Sequence, residues 1–125
     1  MIKIDGKEYV SMVTGFKRNF EVADSESTGR TADWRMHRDV VGTFYNYSVE
    51  VDTHFMNVTD YDSLFELISS PTQSHHFEFP YGQGIISFEG YVTKGGDTLS
   101  TMKDGKSLWG KLAFNVISLE PQRRA

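Results

Sequence analysis

Polar and apolar residues alternate along most of this chain with the period of two that a half-buried β-strand imposes. The clearest run is Tyr45, Tyr47, Val49 and Val51, set against Asn46, Ser48 and Glu50. Met12, Phe16, Phe20 and Val22 share one parity, with Lys17, Asn19 and Glu21 on the other, which predicts a strand over 12–22. Leu112, Phe114 and Val116 alternate with Lys111, Ala113 and Asn115 in a last strand from Leu108 to Leu119. Ile2–Ile4 and Lys7–Tyr9 flank Asp5-Gly6, a hairpin signal. A second hairpin joins His75–Phe79 to Ile85–Thr93 across Pro80-Tyr81-Gly82-Gln83-Gly84. Trp34–Val41 reads as a further strand, ending at a bend or bulge at Gly42-Thr43.

One segment changes period. Tyr61, Leu64, Phe65 and Ile68 recur at i, i+3, i+4 and i+7, after Thr59 or Asp60 as N-cap, which predicts a short amphipathic helix from Thr59 to Ser69. Asp60, Asp62 and Glu66 lie toward its start, as the helix dipole favours, and Pro71 lies past its end. Ala23–Asp33 and Lys94–Lys106 read as long polar loops, and Pro121 stops the last strand before a frayed tail at Gln122–Ala125. The fold class is mainly β: an antiparallel β-sandwich or open barrel with one short α-helix, a single domain over residues 1–125. The expected core is Phe20, Tyr47, Val49, Val51, Leu64, Phe65, Ile68, Phe77, Phe79, Phe88, Leu112, Phe114 and Val116.

Composition sharpens this in three ways. Aromatic residues make up 14% of the chain, more than a small sandwich readily buries within itself, so some are expected at interfaces; Trp34, Phe44, Phe55 and Trp109 stand beside polar or Gly residues and are the candidate anchors. The formal net charge of -4 gives the surface as a whole no attraction for phosphate backbones. The chain has no cysteine, so neither a disulfide framework nor a thiolate metal site is available. The start, Met1-Ile2-Lys3-Ile4-Asp5-Gly6, lacks the apolar run of a signal peptide, and no segment reaches the ~20 apolar residues of a membrane span. The expectation is a soluble protein, intracellular when made, with no membrane anchor.

Candidate chemistry is sparse. His75 and His76 are adjacent, and neighbours on a strand face opposite sides, so the pair does not readily share a metal without a bulge; nothing in the spacing of His37 and His54 joins them to it. Gly105-Lys106-Ser107 resembles the end of a phosphate-binding loop, but Ser100 stands where that pattern needs its first Gly, and strand rather than helix follows. No Ser sits in a Gly-x-Ser-x-Gly elbow. Asn46-Tyr47-Ser48 and Asn57-Val58-Thr59 match the glycosylation sequon by chance in a chain without a secretory signal. No catalytic residue, cofactor or metal ligand is assigned, and the expectation is a protein that is not an enzyme.

The order of elements is distinctive: a Thr28-Gly29-Arg30 loop, then Arg38-Asp39-Val40-Val41-Gly42-Thr43 and an alternating strand, one Asp-rich helix, a hairpin with a Pro-Tyr-Gly turn, a polar loop and a long final strand. It resembles the tail-tube fold of bacteriophages, especially the ring-forming N-terminal domain of distal tail (hub) proteins. It is similar also to short tail-module proteins of phages and prophages of Gram-positive bacteria, on Gly29-Arg30-Thr31, Tyr45-Asn46-Tyr47, Pro80-Tyr81-Gly82-Gln83-Gly84 and Leu108-Trp109-Gly110 through Glu120-Pro121. The resemblance implies a structural subunit of the virion tail, made in the host bacterial cytoplasm. It would form a homo-oligomeric, hexameric ring at the tail tip or along the tube, beside other tail proteins, with genome DNA passing the lumen unbound. An acidic surface suits that passage. Hub proteins often carry a second domain, and this sequence ends at Ala125, which leaves open any receptor or carbohydrate binding and the choice among tube subunit, minimal hub and other tail-tip ring component. The alternatives are a major tail-tube subunit, or a monomeric β-sandwich module binding a saccharide or peptide through loop aromatics.

Two long loops cost ordering entropy that a neighbouring subunit can offset. Arg30, Trp34, Arg35 and Arg38 from the first, with Met102 and Lys103 from the second, are therefore the candidate subunit interface.

Overall fold

The computed structural model describes residues 2–9, 12–25, 29–30, 36–53 and 58–124. In chain order the elements are β1 (Lys3–Ile4), β2 (Lys7–Glu8), β3 (Val13–Asp24), β4 (Gly29–Arg30), β5 (Met36–His37), β6 (Val40–Val51), α1 (Val58–Ser69), β7 (His75–Tyr81), β8 (Gly84–Tyr91), β9 (Gly95–Lys103), β10 (Lys106–Ser118) and β11 (Arg123–Arg124). The protein is mainly β, with one helix and an antiparallel sheet that does not close into a barrel.

Two layers share one strand. In the first, β6 carries β3 on one edge and β10 on the other, and β10 in turn carries β9. At its end β10 leaves β6 and pairs Ile117 and Ser118 with Tyr91 and Gly90 of β8. That begins the second layer, which continues through β7 and β1 to β2. Because side chains alternate across each strand, Tyr47, Val49, Val51, Leu112, Phe114 and Val116 point inward from the first layer. Ile4, Phe77, Phe79 and Phe88 meet them from the second. The rings interlock: Tyr47 lies 4.8 Å from Phe79 in an edge-on contact and stacks on Phe88 at 5.5 Å, while Phe16 stands edge-on to Phe79 at 5.1 Å. Burial pushes the Tyr47 phenol up to about 12, and its hydroxyl has no hydrogen-bond partner among the described residues.

The helix begins at Val58, one residue ahead of the predicted start, and buries Tyr61, Leu64 and Ile68 in the same core. Phe65, expected in the core, is only half-buried against it. The Ser69 hydroxyl donates to the Phe65 carbonyl at 2.6 Å and that of Ser70 to the Leu67 carbonyl at 2.7 Å, ending the helix before Pro71.

Four expectations are corrected. Phe20 belongs to the predicted face, opposite Tyr45, yet is 73% exposed. The second layer ends at the β7–β8 turn beside Tyr81, so the outer parts of β3 and β6 project beyond it as an arm, with the short β11 on the other edge of β6. Lys94–Lys106 is not a loop: Gly95–Lys103 forms β9 and pairs with β10 around Asp104-Gly105, both at positive φ (53° and 75°) like Asp5-Gly6 (51° and 86°). The bend or bulge expected at Gly42-Thr43 is a register slip at Gly42, where Ala23 faces Gly42 and Asp24 faces Val40, but it does not end a strand: β6 runs on through both residues. The tail is not frayed through Arg124, because Arg123 and Arg124 pair with Thr43 and Gly42.

That last pairing is local chemistry. Where β10 leaves β6, the Gln122 side chain takes its place: its Nε2 donates to the Tyr45 carbonyl at 2.8 Å, and its Oε1 accepts from the Tyr45 amide at 2.9 Å. Any side chain at position 42 would strike the Arg123 carbonyl and come within 2.8 Å of Pro121, which is why Gly stands there.

Candidate assembly surfaces

The arm carries a basic, aromatic face. Arg18 and Phe20 stand two residues apart on one side of β3, across from Tyr47 and Tyr45. Tyr45 and Tyr81 meet at 5.5 Å with hydroxyls 3.2 Å apart, and the Arg18 guanidinium lies 5.9 Å from the Tyr81 ring. The Tyr45 phenol is held below its ordinary value by the hydrogen bond to Tyr81 and by the Arg123 and Arg18 charges. Two cations, Arg18 and Arg123, thus serve this face of a chain whose net charge is -4.

Beyond the far edge of that layer lies an acidic cleft of about 410 Å³, lined by Asp62, Phe65, Glu66, Asp97 and Trp109. The helix supplies the first three of these residues, β9 supplies Asp97 and β10 supplies Trp109. The buried Tyr61 hydroxyl donates to Asp97 at 3.0 Å. Its phenol is pushed well up, first by burial, then by that bond and by the Asp97, Asp52 and Asp62 charges. The ion pairs among the described residues engage Asp60, Asp24, Asp5, Glu89 and Glu120, and none of the cleft's three carboxylates.

No family model, curated protein or solved structure matches this chain. The surfaces therefore stand on their own geometry.

Of the residues expected at an interface, Met102 is 71% exposed on β9. Arg38 is exposed, with its guanidinium gripped by both oxygens of Asp24 at 2.9–3.2 Å. Beside that pair, the Ser25 hydroxyl donates to Asp39 at 2.6 Å, so this chemistry closes the base of the first loop. Arg30 lies in β4, paired through its backbone with Met36, and Lys103 ends β9 opposite Lys106. Trp34 and Arg35 lie outside the described residues, as does Phe55. Phe44 lines a broad groove of about 630 Å³ on the other side of the arm, with Asn46, Ile117 and Leu119. Trp109 is 39% exposed. Met102 and Lys103 sit on β9, across β10 and β6 from β3, whose last residue, Asp24, holds Arg38.

The histidines divide as strand geometry requires. His75 is buried, its Nδ1 2.7 Å from Asp5, while His76 is exposed, 3.0 Å from Glu89. Among the described residues no group of three or more side chains is disposed to hold a metal ion, and no helix is long and apolar enough to cross a membrane.

Sequence reasoning missed Arg18, Tyr81, Arg123 and the cleft carboxylates. Arg18 and Phe20 share parity, which is a legible signal; the meeting of Tyr45 with Tyr81 and Arg123 depends on pairings that no spacing reveals.

Proposed function

We propose that this chain is a structural subunit of a bacteriophage or prophage tail that works by assembling with copies of itself into a ring, at the tail tip or along the tube. One observation carries the reading: the arm formed by β3 and β6 runs past the core, exposes Phe20 and Val22, and leaves a twelve-residue strand whose outer edge has no strand partner among the described residues. An unpaired strand edge is a template for association, and a protein that stays single usually blunts it. β9 offers a second such edge, with Leu99 and Met102 exposed. Two different open edges support a head-to-tail contact, and such a contact closes into a ring when the rotation between copies is right. The order of elements, which resembles the tail-tube fold, supports the same reading.

The test is sedimentation of the purified protein over a wide concentration range, with electron microscopy of the largest species and of tails from the producing phage. Annular particles, and this chain located within the tail, are the expected results. A chain missing from purified tails would overturn the proposal.

A further inference from the structure

We infer that the arm of one copy docks into the acidic cleft of the next, Phe20 entering between Phe65 and Trp109 while Arg18 faces Asp62 and Glu66. This rests on the proposed self-assembly and names its joint. The two surfaces are complementary in charge and in shape of chemistry. One is a projecting strand with a guanidinium and a bare ring on the same side. The other is a recess of about 410 Å³ with two aromatic walls and three carboxylates that no described cation neutralises. A guest that brings a positive charge and a ring is the one such a recess favours, and this chain carries that guest itself.

The surfaces also lie where a repeating contact needs them. β3 and β9 are opposite edges of one layer, in the order β3, β6, β10, β9. Three strand spacings, about 14 Å, separate them, so the arm does not reach its own cleft from its position in the layer. Each docking event leaves one free arm and one free cleft, so the contact repeats without a two-fold axis.

Two variants separate the halves of the joint. Arg18→Gln with Phe20→Ser spoils the arm alone, and Asp62→Lys with Glu66→Lys spoils the cleft alone; all four residues are exposed, so the fold should survive. In sedimentation, each variant alone should run as a monomer under conditions where the parent assembles. An equimolar mixture should give a species of two chains and nothing larger, since one intact arm meets one intact cleft. If both variants assemble as the parent does, this joint is wrong while self-assembly stands. A parent that never self-associates is covered by a second measurement. The chain has no cysteine, so a Val22→Cys chain mixed with a Ser107→Cys chain, each exposed position flanking one half of the joint and leaving Phe20 and Trp109 in place, should cross-link on mild oxidation, well above a Val22→Cys and Ser87→Cys control. Cross-linking no better than that control overturns the inference, whatever the parent's oligomeric state.

Discussion

Val49 and Phe20 stand on the same face of the same pair of strands, yet Val49 is 2% exposed and Phe20 is 73% exposed. Opposite the inner part of that ladder lie Phe79 and Phe88; opposite the outer part the second layer has already ended. The contrast teaches that alternation decides which way a side chain points, whereas burial depends on how far the facing layer extends. The core end and the arm end of one ribbon are physically different places, one held by packing and the other held by its ladder and a few polar contacts.

The largest expected effect comes from attacking the core end. Leu64 and Phe114 are both buried, so Leu64→Ala or Phe114→Ala should cost roughly 2–5 kcal/mol, read as a clear drop in denaturation midpoint. A melt within a degree of the parent would refute the placement of the helix on the sheet. Next is the seam between the two ends. Gln122→Ala removes two hydrogen bonds from the Tyr45 backbone and should cost about 1–2 kcal/mol. Faster amide exchange at Tyr45, with Val49 left protected, is the expected signature; unchanged exchange at both would mean the side-chain splice is not formed.

A third prediction uses pH. The Tyr47 phenol is raised from 10.0 to about 12 by burial, so above pH 10 the unfolded chain loses this proton while the folded one keeps it. Stability is therefore complete below pH 10 and falls as pH rises toward 12, by about 1 kcal/mol per pH unit from this group. Tyr47→Phe should flatten that part of the profile and, by removing a buried hydroxyl without a described partner, cost little at pH 7. Urea midpoints compared at pH 8 and pH 11 in both proteins check it; equal alkaline losses would show the titration lies elsewhere. The smallest effect belongs to the arm. Phe20→Ser should change the stability of the isolated subunit by no more than about 0.5 kcal/mol, and a loss comparable to Leu64→Ala would mean that Phe20 is covered in the free protein.

How much of this was legible in the sequence follows from the same contrast. The strands that face a partner layer, β6, β7 and β10, declare themselves through Tyr47-Val49-Val51, Phe77-Phe79 and Leu112-Phe114-Val116, and the helix through Tyr61, Leu64 and Ile68. β9 does not: Thr98, Leu99, Ser100, Thr101 and Met102 are all exposed, so no difference between its faces exists to be read. Its turn was nonetheless marked, since Asp104-Gly105 repeats the dipeptide recognised at Asp5-Gly6. Phe20 was placed on the right face and wrongly buried, because β7 and β8, at 7 and 8 residues, are shorter than the 12 of β3 and no local pattern records that. The splice at Gln122 has no sequence signal at all, being one side chain imitating a peptide group.

The sharing of β10 between the layers also sets an order in time. Its partners Val51, Tyr91 and Gly96 come from three separate stretches of the chain, and contacts of long sequence separation are slow to form. A chain without residues 106–118 would still have β6 on β3 and β8 on β7, but their other edges, and the rings of Tyr47 and Phe88, would lack the strand that joins the two layers. Both layers are therefore expected to close together once residues 106–118 are available, and a chain that lacks them should be the form most prone to aggregate.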